Sequence, residues 1–196
     1  HSSISGIVPK SQANQYPINW VTCSDAQSLA TKVASGTSKT SSLMFGIQWD
    51  LVQKYIETKL ITQGSNLLTA QSLLKTNSTS WGNYQSTLYE LTNSNVKYSL
   101  NNGANWLTTI PFSKTSTSDK IFLTTGALTT FAKQNIFDFA GNVWEYTLEY
   151  SGNTASPCTI RGGAYESTAS ENNANTRTVA TTTFSYSSVG FRVSIY

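Results

Sequence analysis

Few side chains in this sequence carry strong chemistry, and most of them fall in its last sixty residues. In "IFDFAGNVWEYT", residues 136–147, two carboxylates (Asp138 and Glu145) flank Gly141-Asn142 inside an otherwise apolar run. Gly-Asn is a pair suited to a tight chain reversal. Trp144 adds a large ring for burial. Arg161 stands just before Gly162-Gly163, and Arg192 lies near the end of the chain. A buried guanidinium is costly unless carboxylates or carbonyls satisfy it, so both arginines are read as fork-shaped donors inside the fold, with Glu145 a partner. The glycine pair permits close backbone approach or positive φ. Sulfur and imidazole are scarce: the chain has Cys23, Cys158 and 1 histidine. There is no CxxC, and a zinc site or a His-dependent triad is excluded. A disulfide in an oxidising compartment and two unrelated buried thiols both fit the cysteines.

These residues must be positioned by a chain of 196 residues, long enough for one domain with a true core. Hydrophobic residues make up 38% and charged residues only 12%, so Ser, Thr, Asn and Gln must cover the surface. That balance suits an extracellular or surface-exposed protein, one on a virion included. The net charge is +3 and no basic run occurs, which argues against nucleic acid as a partner. No apolar stretch reaches bilayer length. The opening "HSSISGIVPKSQ" lacks the apolar core of a signal peptide. Residues 1–16 read as a lead-in and residues 17–196 as one domain.

Two helices are expected near the front. Ser24 and Gln27 have the spacing of a capping box, followed by Ala26, Leu29, Ala30 and Val33. In the second helix Trp49, Val52, Tyr55, Ile56 and Leu60 are expected on one buried face, with Gly64 ending it. Residues 65–134 read as loops and short strands tethered by Trp81, Tyr84, Trp106, Phe112 and Phe122, with an Asn-Gly hairpin turn in "SLNNGANWLTTIPF" and a buried strand in "DKIFLTTG". Strands are expected in "NVWEYTLEY", in "CTIRGGAYE" and in the closing "TTTFSYSSVGFRVSIY". The sum is an α+β domain.

"NIFDFAGNVWEYT", "IRGGAYE" and "VGFRVSIY", in this order and spacing, resemble the formylglycine-generating-enzyme (sulfatase-modifying-factor) family, and "MFGIQWDLVQKYI" looks like its earlier helix. The resemblance implies an irregular C-type-lectin-like fold with two helices, short antiparallel strands and long loops. In the family, the segment matching "DFAGNVWE" wraps a calcium ion. Carried over, the ligands would be Asp138 and Glu145 by side chain and Gly141 and Val143 by carbonyl, a hard-oxygen set suited to structural Ca²⁺. The competing reading is a turn in which Asp138 accepts backbone N–H bonds while Glu145 pairs with an arginine. The family's enzymes also need a copper-binding cysteine pair, five residues apart, shortly after the glycine doublet. The matching positions here are Ser167 and Asn172, and a hydroxyl and an amide do not replace thiolates toward copper(I). Related iron-dependent sulfoxide synthases rely on histidines that are also absent. No copper is therefore expected, nor catalysis.

Between "RGG" and "GFR" runs "AYESTASENNANTRTVATTTFSYSS", residues 164–188. Tyr, Ser, Asn and Thr are the residues of adaptable binding surfaces. The expected face comprises Tyr165, Ser167, Asn172, Asn173, Asn175, Arg177, Phe184 and Tyr186. Lectin-fold variable proteins of diversity-generating retroelements resemble this arrangement. Residues 164–189 contain no Lys, Gln, Met or Trp, none of which is reached by mutating the adenines of an Asn codon. The expectation is a non-catalytic ligand- or receptor-binding domain whose partner is a protein or glycan on a cell or host surface. The alternatives are an oxidase of the formylglycine-generating type and a structural domain of a surface or phage tail protein.

Overall fold

A capped helix at the front packs on a twisted sheet built mainly from the last third of the chain. The structure is a computed structural model and describes residues 6–196; the first five residues of the expected lead-in lie outside the described residues. Helix α1 (Cys23–Ala30) is closed by Thr22 and Asp25, which bond each other's backbone N–H groups at 3.0 and 3.2 Å. The expected cap, Ser24 with Gln27, is thus two residues late. Two capping-box spacings overlap here, and the earlier one places a carboxylate at the positive end of the helix.

Helix α2 (Gly46–Thr62) buries Trp49, Gln53, Ile56 and Glu57. Tyr55, expected on that face, is 46% exposed. At 3.6 residues per turn it lies about 240° round from Trp49, while Ile56 returns almost to Trp49's side. Gly64 follows the helix end at φ 99°, as its position suggested. A third helix, α3 (Leu67–Lys75), was not anticipated. Asn66 caps it through the Thr69 N–H at 2.8 Å.

The strands are short and form one four-stranded sheet and three two-stranded ladders among the described residues. β1 (Ser41–Leu43) pairs with the final strand, β10 (Val193–Ile195). In the middle of the chain β2 (Tyr89–Leu91) pairs with β4 (Phe112–Lys114), and β3 (Tyr98–Ser99) with β5 (Phe122–Leu123). Asn102 and Gly103 take φ 60° and 86°, the left-handed pair of the expected turn, which Tyr98 and Leu107 close with two backbone bonds. The main sheet contains β6 (Trp144–Thr147), β7 (Cys158–Arg161), β8 (Arg177–Ala180) and β9 (Val189–Phe191), in the order β8-β7-β6-β9. The β6–β9 pairing is parallel, a departure from the all-antiparallel expectation.

Three apolar clusters underlie these elements. The first joins α1 to the main sheet through Val21, Leu29, Tyr146 and Ile160, and the second sets α2 and α3 against Trp81, Tyr84 and Phe139. The third fills the middle region around Leu91, Val96 and Phe131. Trp49 and Phe139 stack at 4.2 Å between ring centres in the second cluster. Trp144, expected to be buried, is only partly so. Backbone bonds from Asn14 and Gln15 to Thr125 hold the lead-in against the domain. No helix among the described residues is long and apolar enough to cross a membrane.

Candidate functional site

The stretch 136–147 is a hub of hydrogen bonds. Gly141 and Asn142 both have positive φ, 69° and 61°, and so reverse the chain as expected. A Cβ on Gly141 would stand 2.4 Å from the Asn83 carbonyl oxygen. The buried Asn142 side chain accepts from Asn83 Nδ2 (2.9 Å) and Leu123 N (3.2 Å), and donates to the Leu123 carbonyl (3.2 Å). Asp138 Oδ2 accepts the Gly126 N–H at 2.7 Å. Arg192 grips Glu145 with both ends of its fork, Nε to Oε2 at 2.8 Å and Nη2 to Oε1 at 2.9 Å. The same Nη2 reaches the Asp138 carbonyl at 2.9 Å. Burial raises the Asp138 pKa, against the pull of the Gly126 N–H and Arg192. Burial likewise raises that of Glu145, opposed by Arg192. For Arg192 burial acts downward, but Glu145 and Asp138 more than offset it and the net shift is upward.

The four expected calcium ligands do not form an open oxygen cage. Both Glu145 oxygens face Arg192, and the Gly141 carbonyl accepts the Val143 N–H at 2.8 Å. The guanidinium occupies the position of a cation. As arranged, the donor set does not fit Ca²⁺, and the geometry is that of the competing reading, a turn with an ion pair.

Because Asp138 carries a raised pKa when folded, the folded chain holds its proton more tightly than the unfolded chain does. This group's contribution to stability is therefore greatest at low pH and declines as pH rises from the unfolded value near 3.8 through the raised folded value. Asp138 also sits at φ 53°, where Asn is well tolerated. Relative to wild type, Asp138→Asn is expected to gain stability as pH goes from 3 to 7. Thermal melts across that range would refute this if wild type gained instead.

Segment 164–188 divides into anchors and exposed groups. Tyr165, expected in the binding face, is fully buried. Its ring stacks on Phe122 at 4.9 Å and its hydroxyl donates to Asn102 Oδ1 at 2.8 Å. Asn173 is buried too, its amide donating to the Lys75 carbonyl at 3.1 Å. Ser167 and Asn172 are half-buried, while Asn175, Arg177, Phe184 and Tyr186 are exposed. Arg177 is nonetheless committed. With the buried Arg161 it shares Asp50 (3.1 and 2.7 Å) and Glu149 (2.8 and 3.3 Å), a four-membered ionic ring between α2 and the sheet.

The expected set does not converge on one spot, but part of it meets residues that sequence reasoning missed. The Trp20 ring lies against that of Tyr186 at 5.6 Å, and the Trp20 backbone N–H donates to the Tyr186 carbonyl at 3.1 Å. Asn19 Nδ2 donates to the Ser187 carbonyl at 2.7 Å, and Ser188 donates to Glu166 at 2.5 Å. Through Tyr165 and Asn102 this patch continues toward Trp106, which packs on Tyr16 at 4.8 Å. Tyr16, Trp20 and Tyr186 are 50%, 43% and 44% exposed. Trp20 is also held at φ 56°, a conformation that a bulky residue rarely adopts. The available signal was two exposed-type aromatics, Tyr16 and Trp20, in a short polar lead into the first helix.

The sulfatase-modifying factor enzyme 1-like domain family matches residues 5–195. The chain belongs to this family. Among solved structures, CarF shares 17% identity with a TM-score of 0.57, over 93% of this chain and 68% of that one. Treponema denticola variable protein 1 shares 14% identity with a TM-score of 0.52, over 98% of this chain and 75% of that one. The irregular α+β, C-type-lectin-like architecture is thereby borne out, with three α-helices among the described residues in place of two. No curated protein matches the chain.

Membership in the sulfatase-modifying factor family raises the question of its copper centre. Ser167 and Asn172 are the residues expected near the two matching positions. The Ser167 carbonyl accepts the Gln85 N–H at 2.9 Å, and the Asn172 N–H bonds the Thr168 carbonyl at 3.0 Å. Neither side chain offers a soft donor. Cys23 and Cys158 lie in the cluster under α1, whereas Ala169 and Ala174, from the segment carrying the matching positions, belong to the cluster under α2. The residues present do not fit that centre.

Proposed function

We propose that this domain is a non-catalytic ligand-binding module, its partner a protein or glycan on a cell or host surface. The observation that carries the reading is Trp20. Strained backbone of this kind costs on the order of 1–3 kcal/mol, persists only where the surrounding structure enforces it, and clusters at ligand sites. Here it presents a half-exposed indole beside Tyr186, at the edge of segment 164–188. Rigid aromatic area flanked by Asn, Ser and Glu gives strong contact at low entropy cost. The absence of cysteine from residues 159–196, where the resemblance would put the copper ligands, supports the non-catalytic reading. A surface or virion location agrees with the polar, charge-poor composition. The frame around 164–188 also suits a diversified segment of the retroelement type, since Tyr165 and Asn173 anchor it from below.

Labelled protein screened on a glycan array and on host-cell surfaces would supply the ligand. Trp20→Gly and Tyr186→Ala are expected to cut that binding at least tenfold. Glycine relieves the strain at position 20, so the Trp20→Gly melting temperature should hold or rise. Unchanged binding in both variants would refute the site. In this reading Arg192 makes calcium unnecessary, so dialysis against EDTA is expected to leave the melting temperature unchanged. A fall of several degrees that Ca²⁺ alone reverses would establish the metal instead.

A second reading rests on α2. Ile47, Leu51 and Tyr55 are 67%, 60% and 46% exposed at four-residue intervals, an apolar stripe facing outward. That favours an assembly domain of a larger surface structure. It predicts oligomers without foreign ligand, measurable by light scattering, that Leu51→Glu dissolves.

A further inference from the structure

Cys23 opens α1 and Cys158 opens β7, distant in sequence yet members of one core cluster in the fold. Both are buried in the apolar cluster that joins the helix to the main sheet. Each thiol is enclosed by the apolar residues of that cluster, and Gln27 Nε2 approaches Cys23 Sγ at 3.8 Å. Neither belongs to the candidate binding face, and neither occupies the positions where this family carries copper ligands. The fold brings both cysteines of the chain into one cluster, although apolar side chains would fill that space without an oxidisable pair.

We propose that Cys23 and Cys158 form an oxidation site that closes to an intramolecular disulfide, fastening α1 to an interior strand of the main sheet. The chemistry requires a small-molecule disulfide as oxidant, such as oxidised glutathione. One cysteine thiolate attacks a sulfur of the oxidant, forming a mixed disulfide and expelling one glutathione thiolate. The second cysteine, deprotonated, attacks the protein sulfur of that mixed disulfide and expels the other glutathione. The two protein thiol protons end on two reduced glutathiones. The pair has lost two electrons and the oxidant has gained them.

The surroundings determine when this occurs. Burial, with Cys158 adding to it, pushes the Cys23 thiol up to about 12, so its thiolate is rare at neutral pH. Closure in the folded chain is therefore slow. It proceeds during folding, or when α1 lifts from the sheet, before the thiols are desolvated. A secreted location, one that suits the polar composition, would provide the oxidising compartment this closure needs. A bond closing so long a loop acts mainly by restricting the unfolded chain.

The test uses the whole chain. Reduced protein is unfolded in denaturant and refolded with a mixture of oxidised and reduced glutathione. Intact mass should fall by two hydrogens without a glutathione adduct, and no thiol should titrate under denaturing conditions. The melting temperature should rise by roughly 5–15 °C, and dithiothreitol should reverse it. Native protein left for days in oxidised glutathione should reach the same endpoint more slowly, which frees the test from refolding yield. Cys23→Ser or Cys158→Ser should each abolish the oxidant's effect on melting. Two free thiols at equilibrium by both routes, a persistent glutathione adduct, or cross-linked dimers would overturn the proposal.

Discussion

Arg192→Met is expected to cost about 3–5 kcal/mol of folding free energy, because it removes the guanidinium that pairs with a buried carboxylate. Glu145 is 5% exposed and both its oxygens bond that guanidinium. The variant leaves Glu145 beside Asp138 without compensation and strips the Asp138 carbonyl of a donor. A chain of this size loses roughly 2–4 °C in melting temperature per kcal/mol, so a drop near 10 °C is expected. Urea unfolding measures the free energy directly. The double variant Arg192→Met with Glu145→Leu should recover a substantial part, since an apolar pair of similar volume carries no buried charge. A loss below about 1 kcal/mol in the single variant, or no recovery in the double, would refute the role given to the pair.

Gly163→Ala is expected to be comparably damaging for a backbone reason. Gly163 has φ 77°, and an added Cβ would stand 2.2 Å from the Asn172 carbonyl oxygen and 2.8 Å from the Tyr84 ring. The carbonyl cannot retreat cheaply, because residue 172 is held through the Thr168 carbonyl and Tyr84 is pinned by its hydroxyl to the Gly162 carbonyl at 2.7 Å. Strain and clash together amount to several kcal/mol. Segment 164–176 must move, so binding should fall together with stability. Gly152→Ala is the control, since its Cβ meets nothing within 4 Å and only the positive φ of 82° is penalised. Melting of Gly163→Ala within a degree or two of that control would show that the close approach is not needed.

Much of this frame was legible because its signals are local. The Gly141-Asn142 reversal, the strands at 144–147 and 158–161, and the glycine pair after Arg161 each announce themselves within a few residues. That Glu145 pairs with a buried arginine was legible from the cost of an unpaired guanidinium, but which of Arg161 and Arg192 it meets was not, because the choice depends on the sheet register. Helix α3 was not, because Asn66, Leu67 and Leu68 sit in a Ser/Thr-rich stretch whose polarity resembles a loop. Tyr165 was assigned to the surface because tyrosine suits both settings; the partner that decides it, Asn102, is remote in sequence. The contact of Trp20 with Tyr186 is equally non-local, and no periodicity could have revealed it.

The strand order β8-β7-β6-β9 has a consequence for how this region tolerates change in length. Residues 162–176 leave β7 and return to its immediate neighbour β8, so their ends stay about 5 Å apart however long the excursion is. Closing a longer excursion costs little, as the penalty grows only with the logarithm of length. Residues 181–188 must instead cross from one margin of the sheet to the other, about 14 Å sideways, and, because β8 and β9 run parallel, return about 13 Å along the strands, so that about 19 Å must be spanned with a fully stretched reach of about 27 Å. Insertions and deletions among relatives should therefore gather in the first arm, and foreign peptides grafted there should leave the remainder of the molecule folded. The second arm has little slack to lose and should vary by substitution alone.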